Sequence, residues 1–234
     1  MRQRKAKDLE KRLERCSGYI VRTDDGSLQE YCDAQAPLYV EIGCGKGQFI
    51  IKKAASDPDG RYLAIEGQET VILRAAEKAM CVSGETDWPE NVPGEERMEG
   101  VSAKLDNLKF ISCFVEHMED FFEEDQLSGV YLNFSDPWPK ARHAKRRLTY
   151  HKRLTDYAWA LKPGGFIEIK TDNDDLFEFT LEEIEAAGLH ITEMTRDLHD
   201  PDCPYAAKKI TTEYEDKFAA RGKNINYVRI EVVK

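Results

Sequence analysis

The sequence predicts a doubly wound α/β fold around a mostly parallel sheet. Three observations carry that expectation. From Pro37 onward, short apolar runs alternate with stretches of helical character. The first of these runs, Leu38–Gly43, ends in the glycine-rich turn Gly43-Cys44-Gly45-Lys46-Gly47. The closing run, 226–233, follows a loop rather than a helix, so the last strand is expected to enter antiparallel. Strands that alternate with helices imply crossover connections and a parallel sheet covered on both faces.

Each element follows from its residues. Residues 1–36 are set apart as a basic N-terminal arm or helix and 37–234 as one domain. Within 1–16 only Leu9 and Leu13 give an apolar stripe, so a frayed terminus and a basic arm reaching a polyanion both stay open. The first strand, 38–43, leads through the glycines to a helix over 48–56. RYLAIE (61–66) is a second strand, followed by a helix over 70–82. Residues 83–107 carry Gly, Pro and many charges with little periodicity and read as a surface insertion. LKFISCFV (108–115) is a third strand, with a short helix over 117–123. GVYLNFS (129–135) is a fourth. A helix over 148–161 is closed by Lys162-Pro163-Gly164-Gly165, a stop signal. FIEIKTD (166–172) is the fifth strand, and a helix over 174–187 ends at Gly188. Residues 189–197 and 226–233 are the last two strands.

Composition narrows the class. With 234 residues and 41% apolar content, the chain can bury a sizeable core. It has no run as long as a membrane span, and the charged start MRQRKAKDLEKRLER lacks the apolar segment of a secretory signal. The six cysteines show no CxxC pair and no metal-ligand spacing, which fits reduced thiols, a cytoplasmic location and no metal site. Nothing calls for a membrane or an obligatory protein partner. The net charge is −10, yet net charge leaves local patches open.

The glycine turn reads G-x-G-x-G, with Gln48 where a dinucleotide fingerprint would have its third glycine. The spacing points away from NAD. Glu66 ends the second strand, where an acid can accept both hydroxyls of a ribose. Glu41, Gly43, Gly45 and Glu66 together resemble the cofactor site of class I S-adenosylmethionine-dependent methyltransferases. Many of these place an Asp after the third strand, near the adenine amine; Phe114 stands there in this chain.

The fourth strand breaks at Asp136-Pro137-Trp138-Pro139. Ligands in such folds bind beyond the carboxyl ends of the strands. The two prolines stiffen the turn, so Asp136 and Trp138 project at a fixed place. A purely structural turn with Trp138 packed inward is the bland alternative. The run that follows holds Lys140, Arg142, Lys145, Arg146, Arg147, Lys152 and Arg153 with no acid among them. Solvated charged faces mix signs, whereas this run suits the phosphates of a nucleic acid. Two acidic clusters, Thr171-Asp172-Asn173 and Thr212-Glu213-Tyr214-Glu215, could accept hydrogen bonds from N1–H and N2–H2 of a guanine. Their bland readings are helix capping for Asp172 and Asn173, and solvent-facing polarity for 212–215. His143 reads as a surface histidine.

LNFSDPWPK, the following R-H-x-K-R-R, KTDN (170–173) and TEYE (212–215) are similar to the bacterial tRNA (guanine-N7-)-methyltransferases, from about Leu38 to the C-terminus. The resemblance implies methylation of a variable-loop guanine in tRNA, with S-adenosylmethionine as cofactor. It implies cofactor contacts at Glu41, Gly43, Gly45, Glu66 and Asp136, with Asp136 also the catalytic group. It implies substrate contacts at Lys140, Asp172, Thr212, Glu213, Tyr214 and Glu215, and RNA contacts at Arg142, Lys145, Arg146 and Arg147. A small-molecule methyltransferase would share the cofactor features without needing the basic run. A non-catalytic RNA-binding module would need neither the glycine turn nor Glu66.

Overall fold

The computed structural model describes residues 7–89, 97–98 and 100–234. Seven strands form a sheet in the order β3-β2-β1-β4-β5-β7-β6. They are β1 (Leu38–Ile42), β2 (Arg61–Glu66), β3 (Leu108–Ser112), β4 (Leu127–Asn133), β5 (Leu161–Thr171), β6 (His190–Thr195) and β7 (Asn226–Glu231). The helices are α1 (Leu9–Arg15), α2 (Ser27–Cys32), α3 (Gln48–Ser56), α4 (Glu69–Val82), α5 (His151–Ala160), α6 (Asp174–Ala186) and α7 (Glu213–Ala219). The doubly wound, mostly parallel sheet expected from the alternation is present. The chain divides into two compact units: Met1–Pro37 with Gly43–Val115, and Leu38–Ile42 with Glu116–Lys234.

In the first unit β2 and β3 pair in parallel, Tyr62 opposite Leu108 through Glu66 opposite Ser112. The helix α4 buries Ile72, Leu73, Ala75, Ala76, Ala79 and Val82, an apolar face at helical spacing. Asn107 ties the bottom of this unit together: its Nδ2 donates to the carbonyls of Ala54, Asp57 and Gly60. The segment before Pro37 belongs to this core. Arg12 makes a two-pronged ion pair with Glu77 at 2.8 and 2.7 Å, which docks α1 on α4. Cys16, Tyr19 and Val21 are buried, and Ile20 bridges to Phe110. Periodicity predicts no element between 17 and 36, because α2 is a single short helix with only Leu28 and Cys32 buried.

In the second unit β1, β4 and β5 run parallel, and β7 pairs antiparallel with both β5 and β6. The antiparallel entry of the last strand is as expected. Every residue of β4 is buried, which is why its middle, Val130–Leu132, reads as a short apolar run. The edge strand β6 alternates exposed and half-buried residues instead. Glycine is required at 129: a Cβ there would come within 2.5 Å of the Phe166 ring, which packs edge-on against Tyr131 with centroids 5.5 Å apart.

Several boundaries differ from the expectation. The third strand stops at Ser112, although the Cys113 N–H still bonds to the Glu66 carbonyl. The expected helix over 117–123 is a single 3-10 turn, Met118–Asp120, anchored by the Met118 N–H on the Asp156 carboxylate at 2.9 Å. One turn cannot carry the cost of nucleating a longer helix. The helix expected from 148 starts at His151, where Glu183 accepts the His151 N–H at 2.6 Å. The Pro-Gly-Gly stop lies inside β5, which begins at Leu161 and has an irregular register against β4 before Phe166. The insertion 83–107 falls partly outside the described residues, but Met98 and Leu105 are buried. The helix α7 has no counterpart in the sequence expectation, because its first four residues show no apolar period.

Candidate functional site

The first unit presents the glycine turn and Glu66. Gly43, Gly45 and Gly47 have φ of 80°, 54° and 76°, the left-handed region that favours glycine. Nothing lies within 4 Å of where a Gly45 Cβ would be, so the backbone there faces open space. Gly47 is required for a different reason: a Cβ would come 2.9 Å from the Ala75 Cβ. The turn is tied to β2 twice. The Gly43 and Cys44 N–H groups donate to the Ile65 carbonyl, and Glu66 Oε2 accepts from the Gly45 N–H at 3.3 Å. Glu66 Oε1 accepts from the Gln68 N–H at 3.1 Å. A carboxylate has about four acceptor directions, so two bonds leave capacity for ribose hydroxyls. Phe114, at the position of the adenine-site acid, is 76% exposed and rests against Gly67, leaving no room for a Cβ at 67. The backbone that is open at Gly45 and the half-buried Glu66 carboxylate fit an adenosyl cofactor.

The second unit presents the remaining candidates. Glu41 is buried within β1, and the Asn133 Nδ2 donates to its Oε1 at 2.8 Å. Asp136 is exposed just past the end of β4. The backbone on either side of it is unusual: Phe134 and Trp138 have φ of 51° and 40°, uncommon for bulky side chains. The basic run after it forms the 3-10 segment Ala141–Arg146. Lys140, Arg142, Lys145 and Arg146 are exposed, whereas Arg147 is half-buried. Trp138 does not pack into a core. Arg146 lies over its ring at 5.0 Å, and His143 meets it edge-on at 5.7 Å.

The two acidic clusters resolve into distinct roles. Asn173, not Asp172, caps α6, accepting the Leu176 N–H at 2.8 Å. Asp172 is half-buried. Residues 212–215 are not plain solvent-facing polarity. Thr212 and Glu215 form a reciprocal capping box at the start of α7. Glu215 is fully buried, with both oxygens 3.1 Å from Lys170 Nζ, and His199 Nε2 is 2.9 Å from its Oε1. Lys170 also donates to the carbonyls of Ala207 and Ile210. Burial pulls the Lys170 ammonium below its usual pKa, against the opposing pull of Glu215. Glu213 is half-buried and Tyr214 is 63% exposed, its ring stacked near Phe134 at 6.3 Å. Lys170 opens the KTDN motif, yet sequence reasoning assigns it no role. A lysine following the alternating run Phe166-Ile167-Glu168-Ile169, in a strand expected to be buried on both faces, is the signal that could have found it.

No helix among the described residues is long and apolar enough to cross a membrane. Comparison with known proteins places the chain among methyltransferases. A family model described as "Putative methyltransferase" matches residues 35–228. Solved methyltransferases share the fold. An antibiotic-related methyltransferase superposes with a TM-score of 0.58 at 17% identity, covering 90% of this chain and 94% of its own. A 16S rRNA methyltransferase superposes with a TM-score of 0.60 at 10% identity, covering 92% and 96%. Relatives by sequence are closer. The tRNA (guanine-N(7)-)-methyltransferase of Mesoplasma florum is 37% identical over 99% of both chains. The protein of the same name from Latilactobacillus sakei is 40% identical over 82% of this chain and 79% of its own. With identity at this level extending over nearly the full length of a relative, this chain belongs to the tRNA (guanine-N(7)-)-methyltransferase family.

Proposed function

We propose that this chain methylates N7 of a guanine in the variable loop of tRNA, using S-adenosylmethionine, in the cytoplasm. The observation that carries this reading is the exposed Asp136 at the end of β4, followed by exposed Lys140, Arg142, Lys145 and Arg146 in a chain of net charge −10. A local cationic surface beside a single carboxylate suits a polyanionic substrate whose reacting atom becomes positive.

The cofactor supplies an electrophilic sulfonium methyl, and guanine N7 accepts it through an in-plane lone pair that carries no proton. The protein therefore needs no general base. Glu66 and the backbone at Gly43 and Gly45 hold the adenosyl and methionine parts, and Glu41 supports the strand that delivers the turn. Asp136 supplies negative charge toward the cation that develops on the base, a preorganised electrostatic contribution. Lys140, Asp172, Thr212, Glu213 and Tyr214 orient the guanine. Glu215, sealed against Lys170, fixes the start of α7 that carries them. The exposed arginines and Lys145 neutralise tRNA phosphates.

Incubation with labelled S-adenosylmethionine and unmodified tRNA tests the reading. The expected product is one 7-methylguanosine in the variable loop. Label at an exocyclic amine, or none on tRNA, overturns it.

A further inference from the structure

Arg147 ends the basic run but does not share its surroundings. Arg142, Lys145 and Arg146 are exposed, and Arg147 is half-buried. Its Nε donates to the Pro137 carbonyl at 2.9 Å, and its Nη2 donates to the Trp138 carbonyl at 3.1 Å. Its guanidinium lies over the Phe179 ring of α6, 4.1 Å from the centroid. The planar group thus has the Nε–Nη2 edge and one face engaged by protein.

The turn it grips has few means of holding itself. Pro137 and Pro139 have no backbone N–H, so two of the four residues Asp136–Pro139 cannot donate. Trp138 sits at φ 40°, a conformation a bulky residue keeps only when its surroundings impose it. The two carbonyls that Arg147 holds flank that strained residue's own peptide. The donors come from outside the turn, ten and nine positions along the chain. Anchorage on Phe179 links the turn to α6.

We propose that Arg147 is a positioning residue that fixes the Asp136–Pro139 turn and so aims Asp136, and that it does not serve as a phosphate contact. Lys145 and the exposed arginines carry the RNA; Arg147 carries the turn. The activity part of this inference rests on the proposed function, while the geometric part stands apart from it.

A lysine keeps the charge but cannot form the two-pronged planar fork. Arg147→Lys therefore separates the two roles, with Arg147→Gln beside it and Lys145→Gln as the control. The full chain is assayed for single-turnover methyl transfer, for tRNA affinity and for its salt dependence. Arg147→Lys and Arg147→Gln are both expected to lower turnover, on the order of tenfold to a hundredfold, as small misplacements at a reacting centre do. Their tRNA affinity and salt slope should stay at the parent's values. Lys145→Gln should lower the salt slope by about one unit, the signature of a lost phosphate contact that the Arg147 variants should lack. Parental turnover in Arg147→Lys, with a lowered slope in Arg147→Gln, overturns the inference.

A second readout does not need activity. With Trp88→Phe and Trp159→Phe as background, acrylamide quenching reports Trp138 alone. Quenching should rise in both Arg147 variants, and unchanged quenching overturns the geometric claim even if methyl transfer is never observed. Should the Arg147 variants fail to fold, Phe179→Leu keeps every charge and removes the ring beneath the guanidinium. It should raise Trp138 quenching in the same direction, and no change there counts against the proposal.

Discussion

Lys170 Nζ lies 3.1 Å from both carboxylate oxygens of Glu215, and the two side chains are 1% and 0% exposed. One partner lies at the end of β5 and the other completes the cap of α7. The pair therefore pins the segment that carries Thr212, Glu213 and Tyr214 to the sheet. Removing one partner leaves the other charge buried. Lys170→Met should cost about 3–5 kcal/mol of stability, read by denaturant unfolding. The double variant Lys170→Met, Glu215→Leu should recover most of that stability, because no buried charge is left uncompensated. A double variant as unstable as the single would show that the ion pair is not what Lys170 contributes.

Neutralising Arg142, Lys145 and Arg146 together should weaken tRNA binding and flatten its dependence on salt. Each phosphate that the protein no longer neutralises should reduce the slope by about one unit. Cofactor affinity should hold at the parent's level. Binding measured across a salt series decides this, and an unchanged slope would remove these residues from the RNA surface.

Glu66→Ala should act on the cofactor. It deletes an acceptor for ribose hydroxyls and also frees the Gly45 and Gln68 N–H groups. Bonds to a charged acceptor are worth about 1.5–3 kcal/mol each, so calorimetry should show cofactor binding weaker by about tenfold or more. Equal affinity in parent and variant would mean the ribose is held elsewhere.

Asp136→Asn keeps the shape of an exposed side chain and removes its charge. Turnover should fall by on the order of 10²–10³, with tRNA affinity far less affected. The single-turnover rate of the parent should show no limb in the neutral pH range, because N7 has no proton to lose. A neutral limb that disappears in Asp136→Asn would instead identify Asp136 as a proton acceptor and the target as an exocyclic amine.

The strand–helix alternation, the glycine turn, the acid at the end of β2 and the D-P-W-P break are all legible in the amino-acid order. Each of these is a local signal. A strand buried on both faces such as β4 is mostly apolar, a close backbone approach favours glycine, and a proline removes a backbone donor from the ladder. The exposed basic residues were legible for the same reason, since an unmixed charge run is visible one residue at a time. The remaining roles depend on partners far apart in sequence. Arg147 reads as one more cation until it is seen gripping Pro137 and Trp138. Glu215 reads as a substrate contact, or as plain solvent-facing polarity, until Lys170, 45 positions away, is found beside it. The helix α7 forms without an apolar period because its first turn is fixed by the Thr212–Glu215 cap and by that ion pair. Periodicity reports which side of an element faces the core. It is silent about which polar group meets which, because long side chains choose partners by geometry that exists only once the chain has folded.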